Sequence, residues 1–147
     1  MTHNQQHVDL WLKYFSHLHN TLLSMKNGVC ALSDEKGNEA AIIEVPQQSD
    51  SVLLHCQLPI LPEEISAAVA HVCLQLNFEM DAMRGCWLAM DEYQTLRICT
   101  QYTINSLDEQ TFCALLNGFI QQAKDAGVFL RDMLIRLESS AWKSAVP

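Results

Sequence analysis

From His7 to Lys26 the apolar residues Leu10, Trp11, Tyr14, Phe15, Leu18, Leu22 and Met25 recur at the i, i+3, i+4 spacing of an amphipathic helix, which predicts a helix over 7–26 ending before Asn27-Gly28. From Gly28 the period falls to two. "GVCALSD", "EAAIIEVP" and "SVLLHCQL", separated by the turn Glu35-Lys36-Gly37-Asn38 and the polar link "QQSD", read as three short antiparallel strands. Pro59 and Pro62 close that run. "PEEISAAVAHVCLQLN" then predicts a second helix with Pro62 at its start, carboxylates in its first turn and an apolar stripe of Ile65, Ala68, Val69, Val72 and Leu76. "CWLAMDEYQTLRICT" reads as a hairpin around a polar turn. Ser106 is the expected N-cap of a last helix carrying Phe112, Leu115, Leu116, Phe119, Ile120 and Ala123 on one face. After Gly127, "VFLRDMLIRLESSAW" regains helical spacing, so residues 127–147 either extend that helix or form a short one of their own.

The predicted order is α-β-β-β-α-β-β-α, an α+β fold with an antiparallel sheet packed against helices. A chain of 147 residues is the size of one ordinary domain and long enough to build a core without staples. The expectation is a single domain over 1–147, with a core at about 7–126 and a helical tail from 127.

Several strands are apolar on both sides. Cys86, Leu88 and Met90 share one face while Trp87 and Ala89 share the other; Leu96, Ile98, Thr100 and Tyr102 oppose Arg97, Cys99 and Gln101. Ile42 opposes Ala41 and Ile43, and Leu53 opposes Val52, Leu54 and Cys56. Two readings account for this. Helices cover both faces, or part of the apolar area awaits a partner, since a large apolar patch on a soluble domain marks an interaction site.

Composition narrows the partner. Apolar residues make up 49% and charged residues 18%, a globular balance, and the net charge of -8 with scattered Lys and Arg argues against nucleic acid. No apolar run reaches the ~18 residues of a membrane span, and "MTHNQQH" lacks the features of a signal peptide, so a cytoplasmic protein is expected. The six cysteines are widely spaced inside apolar segments, where a thiol behaves as a small hydrophobe.

Candidate chemistry is sparse. His3/His7, His17/His19 and His71 with Cys73 lack a closed metal-ligand spacing, and His55 and Cys56, as strand neighbours, face opposite sides and cannot meet. The glycines are isolated, so no phosphate loop is present. Asp34-Glu35, Glu63-Glu64 and Asp91-Glu92 fall at turns or a helix start, where carboxylates serve as caps. The expectation is a binding protein with no catalytic residues, metal or cofactor.

The element order, Gly28 opening the first strand, the "LPILPEE" entry and "LQLNFE" exit of the middle helix, the "LAMDEYQTLRICTQ" hairpin and "LDEQTFCALLNGFIQQA" together resemble class I type III secretion chaperones, the Tir-chaperone family, from the first helix to Ala126. The resemblance implies a bacterial cytoplasmic homodimer. It would hold the N-terminal segment of a secreted effector in extended form and deliver it to a secretion apparatus without ATP hydrolysis. The same resemblance implies a dimer contact at Ile65, Val69 and Val72 on the middle helix, and cargo grooves at Trp11, Leu32, Ile42, Leu53 and Trp87. The outward face of the hairpin would receive either the dimer mate or the cargo. The tail after Gly127 is longer and more apolar than the family pattern. A dimeric interaction module of related fold outside secretion, and a cysteine- or metal-dependent enzyme, are the alternative readings.

Overall fold

Thr2 and Gln5 start the first helix. The Thr2 hydroxyl accepts the Gln5 N–H at 3.2 Å and the Gln5 side chain accepts the Thr2 N–H at 2.9 Å, a reciprocal capping box that satisfies two otherwise unpaired donors. The structure is a computed structural model that describes the backbone of residues 1–60 and 64–145, with side chains through Ser139. Helix α1 runs His3–His19 and ends at Asn20 in the left-handed conformation, so both of its ends lie N-terminal to those the periodicity predicts. It buries Gln5, Val8, Asp9, Leu12, Phe15 and Ser16, whereas Leu10 and Leu18 of the predicted stripe are exposed.

Strands β1 (Val29–Ser33), β2 (Glu39–Glu44) and β3 (Ser51–Gln57) follow, then α2 (Ala67–Phe78), a single-turn α3 (Met80–Met83), β4 (Trp87–Met90), β5 (Leu96–Thr103) and α4 (Glu109–Ala145). Apart from α3 and a 3-10 turn at Ile104–Ser106, this is the predicted order. The strands form a five-stranded sheet ordered β1-β2-β3-β5-β4. Two carboxylates expected at turns are there: Asp34 accepts the N–H groups of Lys36 and Asn38, and Asp91 those of Tyr93 and Thr95.

Helix α2 starts at Ser66, whose hydroxyl accepts the Val69 N–H. The expected start at Pro62, with Glu63, lies outside the described residues, and Ile65 precedes the helix. Asp108, not Ser106, caps α4 by accepting the Thr111 N–H at 2.7 Å, and that bond holds the carboxyl below its ordinary range. The Ser106 hydroxyl instead donates to the Thr103 carbonyl inside the 3-10 turn. Helix α4 continues through Gly127, where a Cβ would stand 3.2 Å from the Pro59 ring; the glycine admits a close approach instead of breaking the helix.

The chain divides into two compact units, Met1–Cys56 with Cys99–Gln121, and Gln57–Ile98 with the chain from Gln122 on. In the first unit the core comprises Val8, Leu12 and Phe15 of α1, the inward residues Cys30, Leu32, Ala41, Ile43, Val52, Leu54 and Cys56 of the sheet, and Phe112, Leu116 and Phe119 of α4. In the second unit Leu58, Ile60, Val69, Cys73, Met83, Leu88, Leu96, Leu130 and Leu134 are buried.

Candidate protein-binding surfaces

The strand register sorts the expected cargo residues by face. Ala31 pairs with Ile42, Ile42 with His55, and Glu44 with both Val29 and Leu53. Residues opposite one another across an antiparallel ladder project to the same side, so Val29, Ala31, Ile42, Glu44, Leu53 and His55 share the outer face of the first unit. Ile42 and Leu53 are half-buried there. His55 Nε2 lies 2.5 Å from Glu44 Oε2, which pins a polar pair among these apolar side chains. Leu32 lies opposite Ala41 on the other face and is buried, so it belongs to the core and lines no groove on the outer face. His55 and Cys56 face opposite sides, as their adjacency in a strand requires.

Trp11 sits elsewhere, half-buried on α1, with its ring 5.4 Å from Phe112 of α4 and stacked with His7 at 6.1 Å. Beyond α1 the chain runs alongside the helix. The Ser16 hydroxyl accepts the Leu23 N–H and the Asp9 carboxylate accepts the Met25 N–H, both at 2.8 Å. Leu23 and Met25 are thereby buried while Leu22 is left 98% exposed, at the rim of an open groove of 570 Å³ lined by Lys13, Ser16, His17 and residues 20–24. Neither buried polar residue is visible to hydrophobic periodicity, which is why α1 buries a different face from the one predicted.

Asp9 is the electrostatic anchor of this arrangement. Burial acts to raise its carboxyl, but the Met25 N–H and the Lys13 ammonium at 2.9 Å together outweigh it and hold the group below its ordinary value. A carboxyl lowered by folding contributes stability that is present above its unfolded value and is lost as pH falls through the folded one. Asp9→Ala is expected to cost about 1–3 kcal/mol at neutral pH. Asp9→Asn, which still accepts the Met25 N–H, should cost less, and both variants should lose less stability than wild type between pH 5 and pH 3. Urea unfolding at the three pH values checks this; an unchanged acid slope in Asp9→Ala would exclude the carboxylate as the source.

In the second unit, α2 has two apolar sides. Val69 is buried at 4% exposure, with Cys73 buried and Val72 and Leu76 half-buried on that inward side. The opposite side carries Ala67, Ala70, His71, Leu74 and Phe78, all exposed, with Leu74 at 71% and Phe78 at 82%. Of the expected dimer residues, Val69 is therefore used by its own chain, and Val72 and Ile65 are half-buried. Leu74 and Phe78, absent from the sequence-based set, are the large apolar groups open to a partner; placing "SAAVAHVCLQLNF" on a helical wheel separates the two sides but does not say which one is inward.

Trp87 is half-buried on β4, with Ala89 on the same side and buried Leu88 on the other. Near them Met83, Leu88, Gln122, Phe129 and Leu130 line a groove of 290 Å³, and Gln122 donates to the Ala82 carbonyl at 3.1 Å. Arg131 holds Glu64 through two hydrogen bonds of 2.9 and 3.1 Å.

Among the described residues no three His, Cys, Asp or Glu side chains converge to hold a metal ion, and no helix is long and apolar enough to cross a membrane. Burial pushes the Cys30, Cys73 and Cys113 thiols above their ordinary range, away from the thiolate that nucleophilic chemistry needs.

Residues 11–126 match the model of the Tir chaperone protein (CesT) family. No curated protein matches the sequence. Among solved structures, the fold is similar to one in the ExsC-ExsE complex, with a TM-score of 0.73, 15% identity and coverage of 86% of this chain and 95% of that one. It is also similar to a chain of the HopA1-SchA chaperone-effector complex, with a TM-score of 0.68, 14% identity and coverage of 86% and 98%. A third similarity is to the heterodimeric ExoU-SpcU complex of the type III secretion system of Pseudomonas aeruginosa, with a TM-score of 0.59, 19% identity and coverage of 84% and 93%.

Proposed function

The chain belongs to the Tir chaperone protein (CesT) family, and from that premise we propose that it is a type III secretion chaperone: a bacterial cytoplasmic homodimer, not an enzyme and without cofactors, that holds the N-terminal segment of a secreted effector in extended form. The observation that carries the reading is the outer sheet face of the first unit, where Ile42 and Leu53 flank the His55–Glu44 pair and remain half-exposed. An extended segment binds such a surface by laying alternate side chains on apolar positions while its main chain pairs with an edge strand. The β1 edge suits that pairing. Val29 exchanges both of its main-chain bonds with Lys26, on the side away from β2, so Ala31, two residues on, directs its N–H and C=O to the same edge. Such contacts solubilise the segment and require no chemical step.

The second copy meets the first, on this proposal, through the Ala67, Ala70, Leu74 and Phe78 side of α2, where small residues let two backbones approach and the larger ones supply apolar area. Trp87 remains a cargo residue in this reading.

The test is co-purification with the N-terminal segment of a secreted protein encoded beside this one. Ile42→Asp and Trp87→Ala are expected to keep the wild-type fold and assembly while weakening retention about tenfold or more, as loss of a hot-spot side chain does. Full retention by both variants would remove these surfaces from the binding site; no retention by wild type of any co-encoded secreted segment would reject the chaperone reading.

A further inference from the structure

The sheet order leaves two edges, β1 and β4. We infer that the Asn77 side chain closes the β4 edge and thereby restricts strand addition to β1. The inference deepens the chaperone reading and rests on it only for the identity of the added strand.

Within a strand, the N–H and C=O of one residue point to the same side, and successive residues alternate. The Leu88 N–H donates to Asn77 Oδ1 at 2.8 Å, and the Leu88 carbonyl accepts from Asn77 Nδ2 at 3.1 Å. Both main-chain groups of Leu88 are therefore committed to α2, and by the same alternation Trp87 and Ala89 face β5, the neighbour of β4 in the sheet order. A primary carboxamide offers a donor and an acceptor side by side, the same pair that a residue of a neighbouring strand presents. Asn77 thus takes the place of a sixth strand at the middle of β4.

The neighbouring edge position is occupied as well. The Cys86 N–H donates to the Met83 carbonyl at 3.0 Å. An incoming strand needs consecutive edge-directed residues, and β4 is four residues long with Leu88 already paired. Unpaired edges promote uncontrolled sheet growth, and covering them is how soluble sheets avoid it. A protein that works by strand addition has to leave one edge accessible, and a second accessible edge would let copies or cargo join in chains. Asn77 is, on this account, a specificity-determining residue.

The test uses full-length Asn77→Ala, which removes both bonds, and Asn77→Asp, which retains an acceptor for the Leu88 N–H but leaves the Leu88 carbonyl unpaired. Hydrogen exchange of the Leu88 amide is expected to accelerate about fivefold or more in Asn77→Ala, the effect of losing one part-buried hydrogen bond. Sedimentation over a rising concentration series should then show species larger than the wild-type assembly. Asn77→Asp should do the same, and it carries the test if the alanine variant does not fold. Folded variants that sediment as wild type does, or an unchanged Leu88 exchange rate in Asn77→Ala, would overturn the inference. Neither measurement requires an effector, so failure of the cargo experiment and failure of this one are distinguishable.

Discussion

Gly28→Ala is expected to remove about 3–5 kcal/mol of stability, a large part of what a domain of this size possesses. Gly28 has φ +77, a left-handed conformation that costs an L-residue about 1–2 kcal/mol. An added Cβ would also stand 2.7 Å from the Val45 carbonyl oxygen and 2.6 Å from Gln5 Nε2. The first is backbone held in register, since the Val45 N–H donates to the Gly28 carbonyl at 2.8 Å, and it cannot move without opening the β1–β2 ladder. The second is the buried amide that donates to the Val45 carbonyl at 2.9 Å and closes the cap of α1. Losing that buried bond adds about 1–3 kcal/mol. Gln5→Ala isolates the hydrogen-bond part and should cost clearly less than Gly28→Ala in urea unfolding. Equal losses in the two variants would mean that the clash and the backbone strain contribute nothing.

A charge on α2 should have opposite consequences on its two sides. Phe78→Glu and Leu74→Glu place a carboxylate on exposed positions and are expected to leave the folded chain intact while reducing the sedimenting mass to that of one copy, because an apolar interface does not tolerate an unpaired charge. Val69→Asp buries the carboxylate in the chain's own core, where the cost of several kcal/mol falls on folding itself, so it should unfold or aggregate. Far-UV circular dichroism and sedimentation on the same samples separate the outcomes. A Phe78→Glu, Leu74→Glu double variant that remains a dimer would move the contact off this side of α2.

Much of this molecule is legible along the chain. The switch from helical to strand period at Gly28, the two-residue alternation that sends His55 and Cys56 to opposite faces, the carboxylates at the turns and the core face of the last helix depend on spacing alone. Spacing is fixed by covalent geometry before any neighbour is chosen. The Thr2-Gln5 capping box and the left-handed Asn20 also left local signals, and they place both ends of α1 better than its apolar residues do. Other features depended on what lies opposite. Asp9 and Ser16 are buried because the main chain of 21–25 needs acceptors there, and no hydrophobic pattern encodes a requirement set by a later segment. The β3-β5-β4 order, the inward side of α2 and the meeting of Asn77 with Leu88 join elements through space. The sequence determined which residues share a face. Only the tertiary structure decided which of two comparably apolar faces was covered by the chain itself and which stayed open, because burial depends on the neighbour that packs there and periodicity carries no record of that neighbour.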